Sequence, residues 1–262
     1  MKKICLLCFL IFTTVNNANA TFSIVAVDPQ TGEIGSAGAT CIGQENGAIV
    51  ISDIVLGQGV IHTQSFWSPT NQNNAKARML MGERPQEIMD WLANNTNDVS
   101  NNSSQRQYLA VDLIEDNQNS AAFTGPACFS EFHQVTGQNY AIAGNILLST
   151  SVVTDMETAF LNNKGSLSDK LMAALQAAKR VGADSRCSDF EISSASAFLR
   201  VARPCDIDAS YGNLPLDINV WVESDIFEPI DELQKQYDDL LDIQACEIPF
   251  IFKSGFEPLT LK

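Results

Sequence analysis

The segment Thr21-Phe22-Ser23-Ile24-Val25-Ala26-Val27-Asp28-Pro29-Gln30-Thr31-Gly32-Glu33-Ile34-Gly35 sets the architecture of this 262-residue chain. Phe22, Ile24 and Ala26 alternate with Ser23, Val25 and Val27, the period of two that marks a strand. Asp28-Pro29-Gln30-Thr31-Gly32 then supplies turn chemistry, with Gly32 expected at a positive φ. The return strand, residues 33–40, is rich in small residues: Gly35, Ala37, Gly38 and Ala39. Small residues weaken a strand, so they mark places where another backbone or a ligand comes close.

Downstream of this hairpin, strands are expected at residues 48–54 and 59–64, and helices at 69–81 and 86–94. Pro85 opens the second helix, whose stripe is Ile88, Trp91 and Leu92. A polar loop, residues 94–104, leads to strands at 107–113, 120–124 and 140–146. Val152, Met156, Ala159 and Phe160 form the apolar face of one helix, and Leu171, Ala174, Leu175 and Ala178 that of the next. Strands return at 195–202 and 216–222, and a last helix starts at Pro229. It buries Ile230, Leu233, Tyr237 and Leu240 and turns Asp231, Glu232, Asp238 and Asp239 to solvent. Strands and helices in blocks, without strict βαβ alternation, predict an α+β fold: two sheets with helices outside them, in one domain.

Upstream of Thr21, Lys2 and Lys3 precede a short apolar run, residues 4–15, and the segment ends in Ala18-Asn19-Ala20. That is a bacterial-type export signal with a small-x-small cleavage site. The run is shorter than the roughly 20 residues a membrane span needs. Residues 1–20 therefore read as a signal peptide and 21–262 as a periplasmic or secreted domain that begins with Thr21. Loss of Lys2 and Lys3 takes the net charge from −15 to −17. Such a surface repels phosphate backbones and anionic lipid, so neither nucleic acid nor membrane is expected as a partner.

Five cysteines would remain: Cys41, Cys128, Cys187, Cys205 and Cys246. An oxidising compartment predicts disulfides with one thiol left over, and Cys187 with Cys205, which flank a strand, is the candidate pair. The cysteines lack paired short spacing and the only histidines are His62 and His133, so neither zinc nor another metal is expected. The chain contains no Gly-x-Ser-x-Gly elbow, no His-Glu-x-x-His and no phosphate-binding loop with lysine, and no cofactor is expected.

A threonine at the start of a buried strand has a specific chemical use. Its hydroxyl can attack a carbonyl while its own α-amine takes the proton. An α-amine, with a pKa near 8, has a useful neutral fraction without special tuning.

The run Thr21-Phe22-Ser23-Ile24-Val25-Ala26, with Asp28-Pro29 and Thr31-Gly32-Glu33-Ile34-Gly35, resembles the opening of the domain-of-unknown-function 1028 family, which is N-terminal nucleophile (Ntn) hydrolase-like. Four further stretches follow in the family's order: His62-Thr63-Gln64, Ala121-Ala122-Phe123-Thr124-Gly125, Gly144-Asn145-Ile146-Leu147 and Gly182-Ala183-Asp184-Ser185-Arg186. The resemblance extends to about Leu241. It implies a four-layer α-β-β-α sandwich of Ntn-hydrolase type and supplies no substrate. The acid and lysine that proteasome-like enzymes place after their threonine are missing, since Ala37 and Ala39 stand where an acid would be useful.

Thr21 is thus the candidate nucleophile. Asn145, at a strand end, is either an oxyanion donor or a turn former. Thr63 and Gln64 are either substrate contacts or a buried hydrogen-bonded pair. Asp184 and Arg186 either orient the amine and clamp a substrate carboxylate or form a structural ion pair. His62 reads as a structural histidine. The expected function is an exported Ntn-type hydrolase acting on the amide bond of a small molecule or peptide. The alternatives are a non-enzymatic secreted binding or scaffold protein that keeps the fold, and an enzyme using Cys41 or Cys187 as its nucleophile.

Overall fold

The structure, a computed structural model, describes residues 21–240 apart from 115, 117, 118, 225 and 226. The expected export segment and Cys246 lie outside the described residues. Strand β1 (Thr21–Asp28) turns into β2 (Glu33–Thr40), pairing Phe22 with Ala39 and Asp28 with Glu33. The Asp28 carboxylate accepts from Gln30 N at 2.9 Å, and Gly32 takes φ +75°, as the turn requires. β3 (Ser52–Val55) and β4 (Gly59–Gln64) follow. Two helices come next, α1 (Pro69–Leu80) and α2 (Pro85–Ala93), each with proline at its first position. The Ser68 hydroxyl caps α1 and Glu87 reaches back to Arg84 N in α2.

β5 (Gln107–Asp112), β6 (Ser120–Thr124), β7 (His133–Gly137) and β8 (Tyr140–Asn145) lead to α3 (Ser151–Asn162) and α4 (Leu167–Ala178), the latter opened by a Ser166–Asp169 capping box. β9 (Ser196–Ala202), β10 (Leu216–Trp221) and α5 (Pro229–Asp239) complete the described chain. One sheet has the order β10-β9-β2-β1-β8-β7 and the other β3-β4-β5-β6, and every strand pair is antiparallel.

Each sheet buries both faces. Phe22, Ile24 and Ile142 pack on α3, α4 and α5, while Ile61 and Tyr108 pack on α1 and α2. Between the sheets, Val25, Val27 and Ala143 meet Val60, Leu109 and Val111. The result is helices, sheet, sheet, helices. Gly35 is small because α4 lies against it: a Cβ there would overlap Leu171 Cδ1. At Gly35 the close neighbour is thus a helix, and at Gly38 it is the neighbouring strands.

Three expectations change. Residues 48–54 are not one strand: Ile49–Ile51 form a 3-10 turn before β3, and Ile49 and Ile51 are both buried against Phe198. An apolar run of that length reads equally as strand or turn. β7 was missed because it is a short edge strand with a single large apolar residue, Val135, and little burial. Leu240, expected on the buried face of α5, is exposed just past the helix end.

Candidate functional site

Thr21 is the first residue of β1, near the middle of the six-stranded sheet, and is 2% exposed. Residues of β1 alternate between faces, so Thr21 shares with Ser23 and Val25 the face toward the second sheet. Thr40 continues β2 beyond Ala39, the partner of Phe22, and Asn145 of β8 is paired directly with Thr21. At this end the space between the sheets changes from apolar to polar.

A hydrogen-bonded chain fills that polar half. Arg200 Nη1 lies 3.2 Å from Ser52 Oγ, which lies 2.7 Å from Ser36 Oγ. Ser36 Oγ lies 2.6 Å from His62 Nε2, and His62 Nδ1 lies 2.9 Å from Ser23 Oγ. Ser23 donates to Gln64 Oε1 at 2.7 Å, and Gln64 donates to Gln107 Oε1 at 2.6 Å. Asn145 Nδ2 donates to the same Gln107 oxygen at 3.0 Å. Arg200 can only donate, and hydroxyl protons rotate to suit. Ser52 Oγ accepts from both Arg200 and Ser36, and each His62 nitrogen lies against a hydroxyl. Burial and the Arg200 charge lower the His62 pKa to about 3, so the ring is neutral and not a base for catalysis.

Asn145 is fully buried, and its Oδ1 has no hydrogen-bond partner. A buried acceptor left unpaired costs on the order of 1–3 kcal/mol. The next residue, Ile146, is β-branched yet holds φ +51°. Its carbonyl accepts from Ser185 N at 3.0 Å, and Leu147 N donates to Glu131 O at 3.0 Å, which fixes the strained turn. Directly after Gln64, Ser65 and Phe66 also have positive φ, 58° and 64°. The Arg106 guanidinium, itself paired with Asp98 at 2.7 Å, donates to the Phe66 carbonyl.

The expected site residues separate into those that meet and one that does not. Asn145 faces Thr21, and Gln64 reaches the same end through Ser23 and Gln107. Thr63 does not join them. Its neighbour Ile61, on the same face of β4, packs with α1 and α2, so Thr63 points at the helices, with its hydroxyl unpaired. Asp184 is fully buried and accepts from Cys41 N at 2.6 Å and from Arg186 Nη2 at 2.8 Å. Arg186 also donates to Thr40 Oγ1 at 3.2 Å, so the ion pair braces the strand end beside Thr21. Ala37 and Ala39 face the helices, so an acid at either position would point away from Thr21.

The disulfide joins Cys41 to Cys187, with Cα atoms 5.7 Å apart, and not Cys187 to Cys205. Residues flanking a seven-residue strand such as β9 sit at opposite ends of it, roughly 20 Å apart, beyond the reach of one bridge. Cys205 is disulfide-bonded too. The bond removes Cys41 and Cys187 as nucleophiles. Cys128, the free cysteine among the described residues, is buried beside Ser65, and burial pushes its thiol up.

Sequence reasoning missed Ser23, Ser36, Ser52, Gln107 and Arg200. Their signal was polar residues at alternate positions of otherwise apolar strands, such as Arg200 between Leu199 and Val201. It also missed a cleft of about 760 Å³ beside Cys41 and Arg186, walled by Trp67 and Tyr211. Among the described residues no cluster of histidine, cysteine and carboxylate side chains suits a metal, and no helix is long and apolar enough to cross a membrane.

This α+β sandwich with its polar end belongs to a defined class: residues 21–233 match the family of unknown function DUF1028, and the chain belongs to that family. Among solved structures it is similar to protein SPO2555 from Silicibacter pomeroyi, of the same family. The identity is 26%, with a TM-score of 0.65 over 84% of this chain and 88% of that one. No curated protein matches the chain.

Proposed function

We propose that residues 21–262 form an exported, periplasmic or secreted, single-domain Ntn-type hydrolase acting on an amide bond, with Thr21 as nucleophile. The observation that carries this reading is the pairing of Thr21, the first residue of a central strand, with Asn145, whose buried Oδ1 is unpartnered. The family match, which also begins at residue 21, supports it. Signal peptidase frees the Thr21 amine, which can then take the hydroxyl proton as Oγ attacks the carbonyl carbon. Asn145 Oδ1 accepts a hydrogen bond from that amine, and the second N–H of its amide donates to the oxyanion. The proton passes to the leaving amine, and water hydrolyses the ester left on Thr21.

While Ala20 is attached, the nitrogen lone pair is delocalised into the peptide bond and cannot act as a base. Three proteins test this: the chain starting at Thr21, the same chain with one extra N-terminal alanine, and Thr21→Ala. A β-lactone probe should label the first alone. Equal labelling of the alanine-extended form would sink the mechanism. Thr21 is absent from the wall of the 760 Å³ cleft, which favours the alternative of a secreted binding or scaffold protein should labelling fail.

A further inference from the structure

We infer that a cleft at the end of β1 away from Thr21 binds a phosphate group between Lys164 and Lys170. β1 runs eight residues from Thr21 to Asp28, roughly 23 Å of extended chain. A ligand at the Asp28 end does not meet Thr21, so the inference stands apart from the hydrolase reading. The cleft, of about 310 Å³, opens where three chain reversals converge. Asp28 and Gln30 come from the β1–β2 turn, Gln138 from the β7–β8 turn, and the two lysines from the α3–α4 junction.

Charge singles this cleft out. The chain carries 31 acidic side chains against 16 lysines and arginines, so a cation finds a carboxylate easily. Among the described residues every lysine and arginine except Lys164 and Lys170 does so, with N···O contacts no longer than 3.3 Å. Lys164 Nζ donates to Leu161 O at 3.2 Å, which leaves it further protons to give. Lys170 has no side-chain partner among the described residues. It is also ill placed for stability: its N–H closes the first turn of α4 on Ser166 O, where the helix dipole disfavours a cation. The nearby acids do not answer it. Asp28 turns its carboxylate to Gln30 N and Thr31 N at 2.9 and 3.3 Å, and Asp169 spends its oxygens on Ser166 and Tyr237. An anion in the cleft would pair both ammonium groups and offset the dipole penalty.

The donors choose the anion. Lysine is a compact point charge on a rotating stem, suited to a tetrahedral phosphoryl group. A carboxylate gains most from the planar fork of arginine, and no arginine lines the cleft. Gln30 and Gln138, both exposed, add amide N–H donors from the two hairpin turns. Phe160, Leu161 and Leu167 give an apolar wall beside them, against which the carbon body of a small phosphate ester would pack.

The test titrates nitrogen-15-labelled protein starting at Thr21 with inorganic phosphate, glycerol 3-phosphate and succinate, at neutral pH and low salt. At least one phosphate should move the side-chain amide signals of Gln30 and Gln138 to saturation, and the tighter of the two tells whether the group arrives free or on an ester. Its affinity should fall tenfold or more in Lys164→Gln and in Lys170→Gln, and should weaken as salt is raised. Both variants change surface side chains, so each should keep the parent melting temperature, and Lys170→Gln should raise it slightly by relieving the dipole. Failure of both phosphates to move these signals overturns the inference. So does saturation indifferent to both substitutions, or tighter binding of succinate than of either phosphate.

Discussion

Mild acid should destabilise this protein through His62. The ring is fully buried, both nitrogens are hydrogen-bonded, and burial with the Arg200 charge lowers its pKa to about 3. In the unfolded chain the pKa returns to about 6.5. The unfolded state thus binds a proton that the folded state refuses, so stability is full above about pH 6.5 and falls as pH drops toward 3. The slope approaches about 1.4 kcal/mol per pH unit, and the loss between pH 7 and pH 5 is about 2 kcal/mol. Carboxylates contribute lower down: Asp98, where burial is outweighed by hydrogen bonds from Arg106, Ser100, Asn102 and Asn71, sits at about 2. Its share is lost only below the usual range near 4. Denaturant midpoints at half-unit steps from pH 7 to pH 5 would measure the loss. Nitrogen-15 spectra should show a neutral imidazole at position 62 until the protein unfolds. A ring at position 62 that titrates near pH 6 in the folded protein, with flat stability, would refute the burial argument.

Three other perturbations follow from the same geometry. Asn145→Ala should cost on the order of 3 kcal/mol in the chemical step, as for loss of one oxyanion donor, with little change in product binding; equal losses in both would make Asn145 structural. Alkylation of the denatured, unreduced mature protein should label one thiol, Cys128, and labelling of all five would contradict an oxidised, exported chain. Gly35→Val should destabilise by about 1–3 kcal/mol in a melt, because the added atoms overlap Leu171 and Leu167 of α4; an unchanged melting temperature would mean that α4 lies farther from β2.

The hairpin was legible because its information is local. Alternation in β1, turn chemistry at Asp28 and Gly32, and prolines at the first positions of α1, α2 and α5 each act within a few residues. The site was legible in part for the same reason, since Thr21 and Asn145 are both marked by their places at strand ends. What failed depends on pairing at a distance. Cys41 meets Cys187 across 146 positions, and no local pattern encodes that meeting. Thr63 and Gln64 were grouped because they are adjacent, yet adjacency in a strand separates side chains to opposite faces. That error was avoidable from the period of two alone.

The unpartnered Asn145 oxygen follows from the rest of the chain of hydrogen bonds. Gln107 spends its Nε2 protons on Thr124 Oγ1 at 2.9 Å and Gly144 O at 3.1 Å, so its Oε1 is the only group it can offer Asn145. That oxygen also accepts from Gln64. An acceptor there demands the Asn145 NH₂, and the amide plane then turns Oδ1 away from Gln107. Rotating the amide to satisfy Oδ1 would set two oxygens against each other at hydrogen-bond distance, which is worse than one orphan. The orientation at the Thr21 end is therefore dictated by Gln107 and Gln64, two residues of the facing sheet. Gln107→Met should remove the acceptor that holds the Asn145 NH₂. A broadened Asn145 side-chain amide resonance in the folded variant would follow, whereas an unchanged sharp pair would show that Gln107 does not set the orientation of Asn145.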